Sequence, residues 1–249
     1  MSTEIIVVTG AYGRQQVAAA GGQQALLPVI ERAGASGVEI RRELFSAQEL
    51  SQLPALSAAI KQHGLTAYYS VPEPLFTASG TINPDLQTFF AEAGTLNARL
   101  LKFSSGYPVS NVAAEKLAEQ LAASPVPVTV ENDQTDGGKI AVMAEFFSRF
   151  GQIPAIAGMT FDTGNWYWTG ESPLRACREL SAYVSYIHLK AVRKDKDGFR
   201  AVPPAPDDEH WQTLLAALPG NVPRGIEFPL TGEDLVAVTR QYVDLFRQV

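Results

Sequence analysis

Eight short apolar runs, each followed by a longer amphipathic segment, constrain this chain more than any other feature. The runs cover residues 5–8, 37–40, 66–71, 99–103, 126–130, 156–161, 184–189 and 225–228. They are rich in Val, Ile, Tyr and Phe, and several are almost continuously apolar. Strands covered on both faces read this way. In the segments between them, apolar residues recur every three or four positions, as helices packed on a sheet require. "QALLPVIERAG" ends at Gly34, "SAQELSQLPALSAAIKQHG" reads as one helix capped by Ser46 and closed at Gly64, and "GGKIAVMAEFFSRFG" closes at Gly151. Asn83 before Pro84 predicts a cap for "NPDLQTFFAEAGTL", and Ser110 one for "SNVAAEKLAEQLAAS". "SPLRACRELSAY", "DDEHWQTLLAALPG" and "TGEDLVAVTRQYVDLFRQV" complete the set.

Eight alternations in 249 residues predict an α/β chain folded as a single-domain (β/α)8 TIM barrel over residues 1–249. The competing doubly wound sheet lacks its phosphate loops. The first run leads into TGAYGR rather than GxGxxG, and no GxxxxGK[ST] occurs. No linker divides the chain. The longest stretch read as irregular is 193–208, "RKDKDGFRAVPPAPDD", after the seventh run, on the face where barrel loops carry function.

The formal charge of −6 comes from mixed acids and bases with no basic patch, which argues against a nucleic-acid partner. The one cysteine, Cys177, excludes a disulfide within the chain and fits a reducing compartment. The N-terminal "MSTEIIVVTGAYG" reads as a first strand rather than a signal peptide, and no apolar run approaches the ~20 residues that cross a bilayer. The expectation is a soluble cytoplasmic protein without membrane or nucleic-acid partners. Whether it forms a homo-oligomer is left open.

Barrel chemistry sits at the C-terminal ends of strands. The fifth run ends "VTVEND", giving Glu131; the sixth "MTFDTGN", giving Asp162; the seventh "YIHLK", giving His188; the eighth "GIEFP", giving Glu227. Any one of these is explained by a salt bridge to a loop lysine or arginine. Four at matching ends of consecutive strands point to a shared cation. Three carboxylates facing one another would otherwise raise each other's pKa values. A site of oxygens suits Mn2+ or Mg2+, and the imidazole admits Co2+ or Zn2+.

The set "VEND…FDTGNW…IHLK…GIEFPL", with "GVEIRRELF" in the first half, resembles the xylose-isomerase-like TIM barrels. Within them it is most similar to the sugar phosphate isomerase/epimerase group that includes D-tagatose 3-epimerase and hydroxypyruvate isomerase. The resemblance implies that Glu131, Asp162, His188 and Glu227 bind one divalent metal, and that Glu131 and Glu227 are the acid/base pair. Three departures stand out. Asn165 replaces the histidine that tagatose-type epimerases carry three residues after the aspartate. Arg193 only approximates their arginine after the histidine strand. "VPPAPDD" replaces a "PGxG" loop. With three histidines, two of them in helical segments (His63 and His210), the chain cannot build the three-zinc site of the apurinic endonucleases, which share this barrel.

Other residues have ordinary structural roles open to them beside functional ones. Lys190 lies two residues beyond His188 and therefore on the same side of its strand. It is read as a salt-bridge or substrate group rather than a Schiff-base lysine. Lys102 is read as a substrate contact or as a partner for Glu131 or Glu39. Glu39 and Arg41 share a strand face and are read as an ion pair inside the barrel base. Tyr68, Asn165, Trp166 and Arg193 are read as substrate contacts. The expected activity is metal-dependent isomerisation or epimerisation of a small sugar or keto-sugar through an enediolate. The alternatives are an inosose-type dehydratase acting on a polyol and a barrel that binds metal or ligand without catalysis.

Overall fold

The computed structural model describes residues 3–107 and 112–248. In chain order the strands are β1 (Ile5–Val8), β2 (Gly37–Arg41), β3 (Thr66–Phe76), β4 (Leu101–Gly106), β5 (Val128–Glu131), β6 (Ile156–Asp162), β7 (Val184–Leu189), β8 (Ala191–Asp195), β9 (Gly198–Val202) and β10 (Arg224–Ile226). Eight of them close a parallel barrel in the order β1-β10-β7-β6-β5-β4-β3-β2, and β8 and β9 form a separate antiparallel hairpin. The helices are α1 (Arg14–Ala20), α2 (Leu27–Arg32), α3 (Ala47–Ser51), α4 (Leu53–Gln62), α5 (Leu86–Thr95), α6 (Ala114–Leu121), α7 (Ile140–Phe150), α8 (Pro173–Leu180), α9 (Glu209–Ala216) and α10 (Leu235–Arg247). The fold is the (β/α)8 barrel that the alternating pattern predicts.

Two apolar regions hold it together. The larger lies between strands and helices. Ile5, Val7, Val38, Ile40, Leu101, Phe103, Val128, Val130 and Ile187 face outward and meet the helices. Helix α7 shows how: Ile140, Met143, Phe146, Phe147 and Phe150 fall on one side and are all buried, each such side chain contributing about 1.5–3 kcal/mol. The smaller region is inside the barrel. Ile6, Tyr68, Leu100 and Tyr186 close its lower end, with the Tyr68 and Tyr186 rings 5.1 Å apart.

Several local expectations change. The segment read as one helix from Ser46 to Gly64 is two, α3 and α4, because Pro54 starts a new helix and Gln52 separates the pair. Ser46 does cap α3, in a reciprocal capping box with Glu49. Asn83 is not the cap of α5. Its side chain instead accepts from the Asp85 amide and donates to the Pro74 carbonyl, and Asp85 occupies the cap position. Ser110 lies outside the described residues. The stretch 193–208 is not wholly irregular, since β8 and β9 occupy its first half.

Candidate metal centre

The ends of β5, β6 and β7 and the residue after β10 converge. One ligand atom each from Glu131, Asp162, His188 and Glu227 lies within 4.8 Å of all the others. Strand register explains the meeting. Asp162 is paired with His188, and Gly225, two residues before Glu227, is paired with His188 from the other side. Gly225 is required here, because a Cβ on it would come within 2.5 Å of the Tyr186 hydroxyl and 2.8 Å of the His188 ring.

Each ligand is held by neighbours. His188 is fully buried, and its Nε2 lies 2.8 Å from Glu39 Oε2, which also accepts from the Tyr186 hydroxyl at 3.0 Å. Nδ1 is thereby turned to the cluster, 2.8 Å from Glu131 Oε1 and 3.3 Å from Glu227 Oε2. A carboxylate behind a histidine is the usual means of fixing a metal-binding imidazole. Asp162 Oδ1 accepts from the amides of Gly164 (2.8 Å) and Asn165 (2.7 Å), leaving Oδ2 to face the cluster. Lys102 Nζ donates to Glu131 Oε2, and Arg41 donates to Glu227 Oε1 at 2.6 Å. Lys190 Nζ touches Asp162 Oδ2 at 2.8 Å and Glu227 Oε2 at 2.9 Å.

The charge states follow from this crowding. Burial opposes ionisation of Glu131, but Lys102 and His188 outweigh it and hold the carboxyl at about 2. Burial also works against the Glu227 carboxylate, and Lys190 and His188 hold it well below its usual range. Asp162 goes the other way: burial pushes it up to about 7, helped by the Glu227 and Glu131 carboxylates and opposed by Lys190. Burial alone would lower His188, yet the carboxylates around it, Glu39 first, raise it well above its ordinary value. Asp162 and Glu227 likewise hold Lys190 above the usual lysine range, so it is no neutral amine for imine chemistry.

The donor set fits a divalent cation. Three buried atoms, Glu131 Oε1, Asp162 Oδ2 and His188 Nδ1, are aimed into the cluster, where they meet one another, Glu227 and Lys190 Nζ at ion-pair distance. A divalent cation could be ligated by all three, as three carboxylates and one imidazole suit Mn2+, Mg2+, Co2+ or Zn2+. Beside them, at the ends of β3, β4 and β5, opens a cavity of about 370 Å3 lined by Pro72, Pro74, Ser104, Tyr107, Asp133 and Asp136. Its Ser104 is in register with Glu131. That volume suits a small ligand.

Some expected substrate contacts fall elsewhere. Tyr68 is fully buried in the plug at the opposite end of the barrel. Trp166 is fully buried against Phe161, an apolar packing role. Asn165 is buried as well, and its side chain donates to the Asn132 carbonyl and accepts from Gln134, tying two loops together. Arg193 is exposed on β8, opposite Arg200. Lys102 and Lys190 do reach the cluster. Glu39 makes the expected ion pair with Arg41, at 3.8 Å, and meets Lys102 at the same distance, while its closest contact is His188. Its position two residues before Arg41 on an inward face was the available signal; the contact with β7 crosses the barrel and has no local signature.

No protein-family model and no curated protein matches the sequence. Solved structures do match in shape. The IolI protein, solved with a bound zinc atom, superposes with a TM-score of 0.72 at 13% identity, covering 98% of this chain and 98% of that one. D-Psicose 3-epimerase from Clostridium cellulolyticum H10, solved with D-tagatose, gives 0.68 at 13% identity, covering 99% of each. The probable 3-DHS dehydratase AsbF from Bacillus anthracis gives 0.68 at 12% identity, covering 97% of this chain and 98% of that one. A xylose isomerase domain protein from Planctomyces limnophilus also matches, with a TM-score of 0.66 at 15% identity, covering 100% of this chain and 97% of that one, and what all four share with this chain is the (β/α)8 barrel fold.

Proposed function

We propose that the chain is a divalent-metal-dependent isomerase or epimerase acting on a small sugar or keto-sugar. The observation that carries this reading is the convergence of one ligand atom each from Glu131, Asp162, His188 and Glu227 within 4.8 Å at the ends of neighbouring barrel strands. Glu131, Asp162, His188 and Glu227 would hold the ion, His188 through Nδ1. A bound ion supplies positive charge beside the oxygens on which negative charge develops when a proton leaves the neighbouring carbon.

The remaining work falls to side chains. Glu131 and Glu227 flank His188 Nδ1 from two different strands, and both carboxyls are held ionised by lysine and histidine neighbours. One carboxylate takes the proton and, as the carboxylic acid it becomes, returns it to the adjacent carbon in an isomerase; in an epimerase the other, after taking a proton from solvent, gives it to the opposite face while the first releases its own to solvent. Arg41 and Lys102 fix their second oxygens. Glu39 keeps the imidazole in one orientation.

A lyase reading stays beside it. If the abstracted proton's electron pair expels a hydroxyl from the next carbon, the same residues perform dehydration, and the fold is shared with a probable dehydratase. The test is a panel of ketoses, aldoses and inososes incubated with the Mn2+-loaded protein, with products followed by chromatography and mass. An isomer of unchanged mass supports the proposal. Loss of water assigns the lyase. Mn2+ and ligand bound without turnover of any member assigns a binding barrel.

A further inference from the structure

Two side chains continue the barrel's hydrogen-bond ladder past the point where the strands stop pairing. The last residue pair between β5 and β6 is Glu131 with Thr160, so Asp162 extends two residues beyond it. The last pair between β6 and β7 is Asp162 with His188, so Lys190 extends two residues beyond that one. Buried amides and carbonyls past the end of a ladder need partners. Asn132 supplies them to Asp162: its Oδ1 accepts from the Asp162 amide at 2.9 Å, and its Nδ2 donates to the Asp162 carbonyl at 3.1 Å. Thr163 supplies them to Lys190: its hydroxyl accepts from the Lys190 amide at 3.1 Å and donates to the Lys190 carbonyl at 2.9 Å.

Each bridging residue directly follows a candidate ligand, Glu131 or Asp162. Successive side chains along a strand face opposite sides, so a ligand turned into the barrel sends the next side chain away from the cluster. Asn132 is fully buried and Thr163 nearly so. Their polar atoms are spent on these backbone groups, so they can act on an ion only through the residues they hold. Asn132 is itself held, because its carbonyl accepts from Asn165 Nδ2 at 2.8 Å. Asp162 is therefore fixed twice, its backbone by Asn132 and its Oδ1 by the amides of Gly164 and Asn165. The end of β6 is tied on one side to β5, which carries Glu131, and on the other to β7, which carries His188. Neighbouring carboxylates repel, and strand ends free to part would relieve that repulsion by moving the ligands apart.

We propose that Asn132 and Thr163 are positioning residues that lace the ends of β5, β6 and β7 together and so set the spacing of Glu131, Asp162 and His188 for one divalent cation. The proposal rests on the metal-dependent reading above and adds to it the residues that preform the site. Groups behind the ligands orient them and tune the affinity of the ion.

The test is calorimetric titration of the full chain with Mn2+, together with the visible absorption of the Co2+-loaded protein, which reports coordination geometry. Asn132→Ala removes one bridge. Thr163→Val removes the other with little change of shape, and Thr163→Ser keeps its hydroxyl. Asn132→Ala and Thr163→Val are each expected to weaken Mn2+ binding about 10–100-fold and to alter the Co2+ spectrum, the usual scale for a lost outer partner of a metal ligand. Thr163→Ser is expected to match wild type in both, and so is Ile6→Ala, which lowers stability at the far end of the barrel. Wild-type Mn2+ affinity in a folded Asn132→Ala or Thr163→Val protein overturns the proposal, as does an equal loss in Thr163→Ser or Ile6→Ala. Failure of both Asn132→Ala and Thr163→Val to fold overturns it too, since the bridges would then be general supports of the barrel. All of these leave the metal-dependent reading intact; wild-type protein that binds no Mn2+ overturns that reading and the proposal with it.

Discussion

The two ends of the barrel interior are enclosed by the same ring of strands and differ in almost every other respect. At the lower end Ile6, Tyr68, Leu100 and Tyr186 form an apolar plug. A few residues further along those strands and their neighbours, Glu39, Arg41, Lys102, Glu131, Asp162, His188, Lys190 and Glu227 form a network of charges within contact of one another. The plug gains stability from burial and needs only shape. The charged end gains nothing by burial unless every charge has a partner. Such an arrangement suits a site whose complement is completed by a ligand, and barrels divide stability from chemistry along this axis. Tyr186 joins the two ends: its ring packs on Tyr68 and His188 while its hydroxyl reaches Glu39.

Substitutions at the two ends should therefore separate. The largest effect is expected at the upper end. Glu131→Gln should lower turnover by about 10²–10⁴-fold, the worth of a positioned acid or base, in a protein that still folds but with a lower thermal midpoint, because buried Lys102 loses its charged partner. A variant that unfolds instead would make Glu131 structural. At the lower end Ile6→Ala should cost about 2–5 kcal/mol in denaturant unfolding while leaving Mn2+ affinity unchanged; a fall in affinity would show that the ends are not separable. Glu39→Gln tests the link between imidazole and support, and should weaken Mn2+ binding about 10–100-fold by calorimetry.

The smallest effect concerns the outer shell. Burial pushes the Cys177 thiol up to about 11 from an ordinary value near 9. Since the folded value is the higher one, the thiol's contribution to stability is full below pH 9 and is lost as pH rises through 11. Native protein at pH 8 should react with a thiol-directed chromophore far more slowly than unfolded protein. Equal rates would show that α8 opens readily.

What could be read in advance follows from how local each signal is. The barrel strands were legible because parallel strands buried on both faces are continuous apolar runs. Glu131, Asp162, His188 and Glu227 were legible because each terminates such a run, and Lys190 because two residues along a strand return to the same face. The β8–β9 hairpin was read as part of an irregular loop although Asp197-Gly198 is a hairpin turn signal; its flanking residues are charged and half exposed, so no apolar run marks it. The Glu39–His188 contact and the burial of Trp166 escape a sequence reading for opposite reasons. Glu39 meets His188 across the barrel, from a residue 149 positions away. Trp166 follows the aspartate in sequence, but its indole turns back into the apolar shell, where Phe161 packs on it.

The central claim is that Glu131, Asp162, His188 and Glu227 together hold one divalent cation. Calorimetric titration of metal-stripped protein with Mn2+ tests it most directly. The account predicts saturable binding of about one ion per chain, abolished or severely weakened in both Asp162→Ala and His188→Ala. Absence of binding to the wild-type protein, or binding that survives both substitutions undiminished, would contradict it.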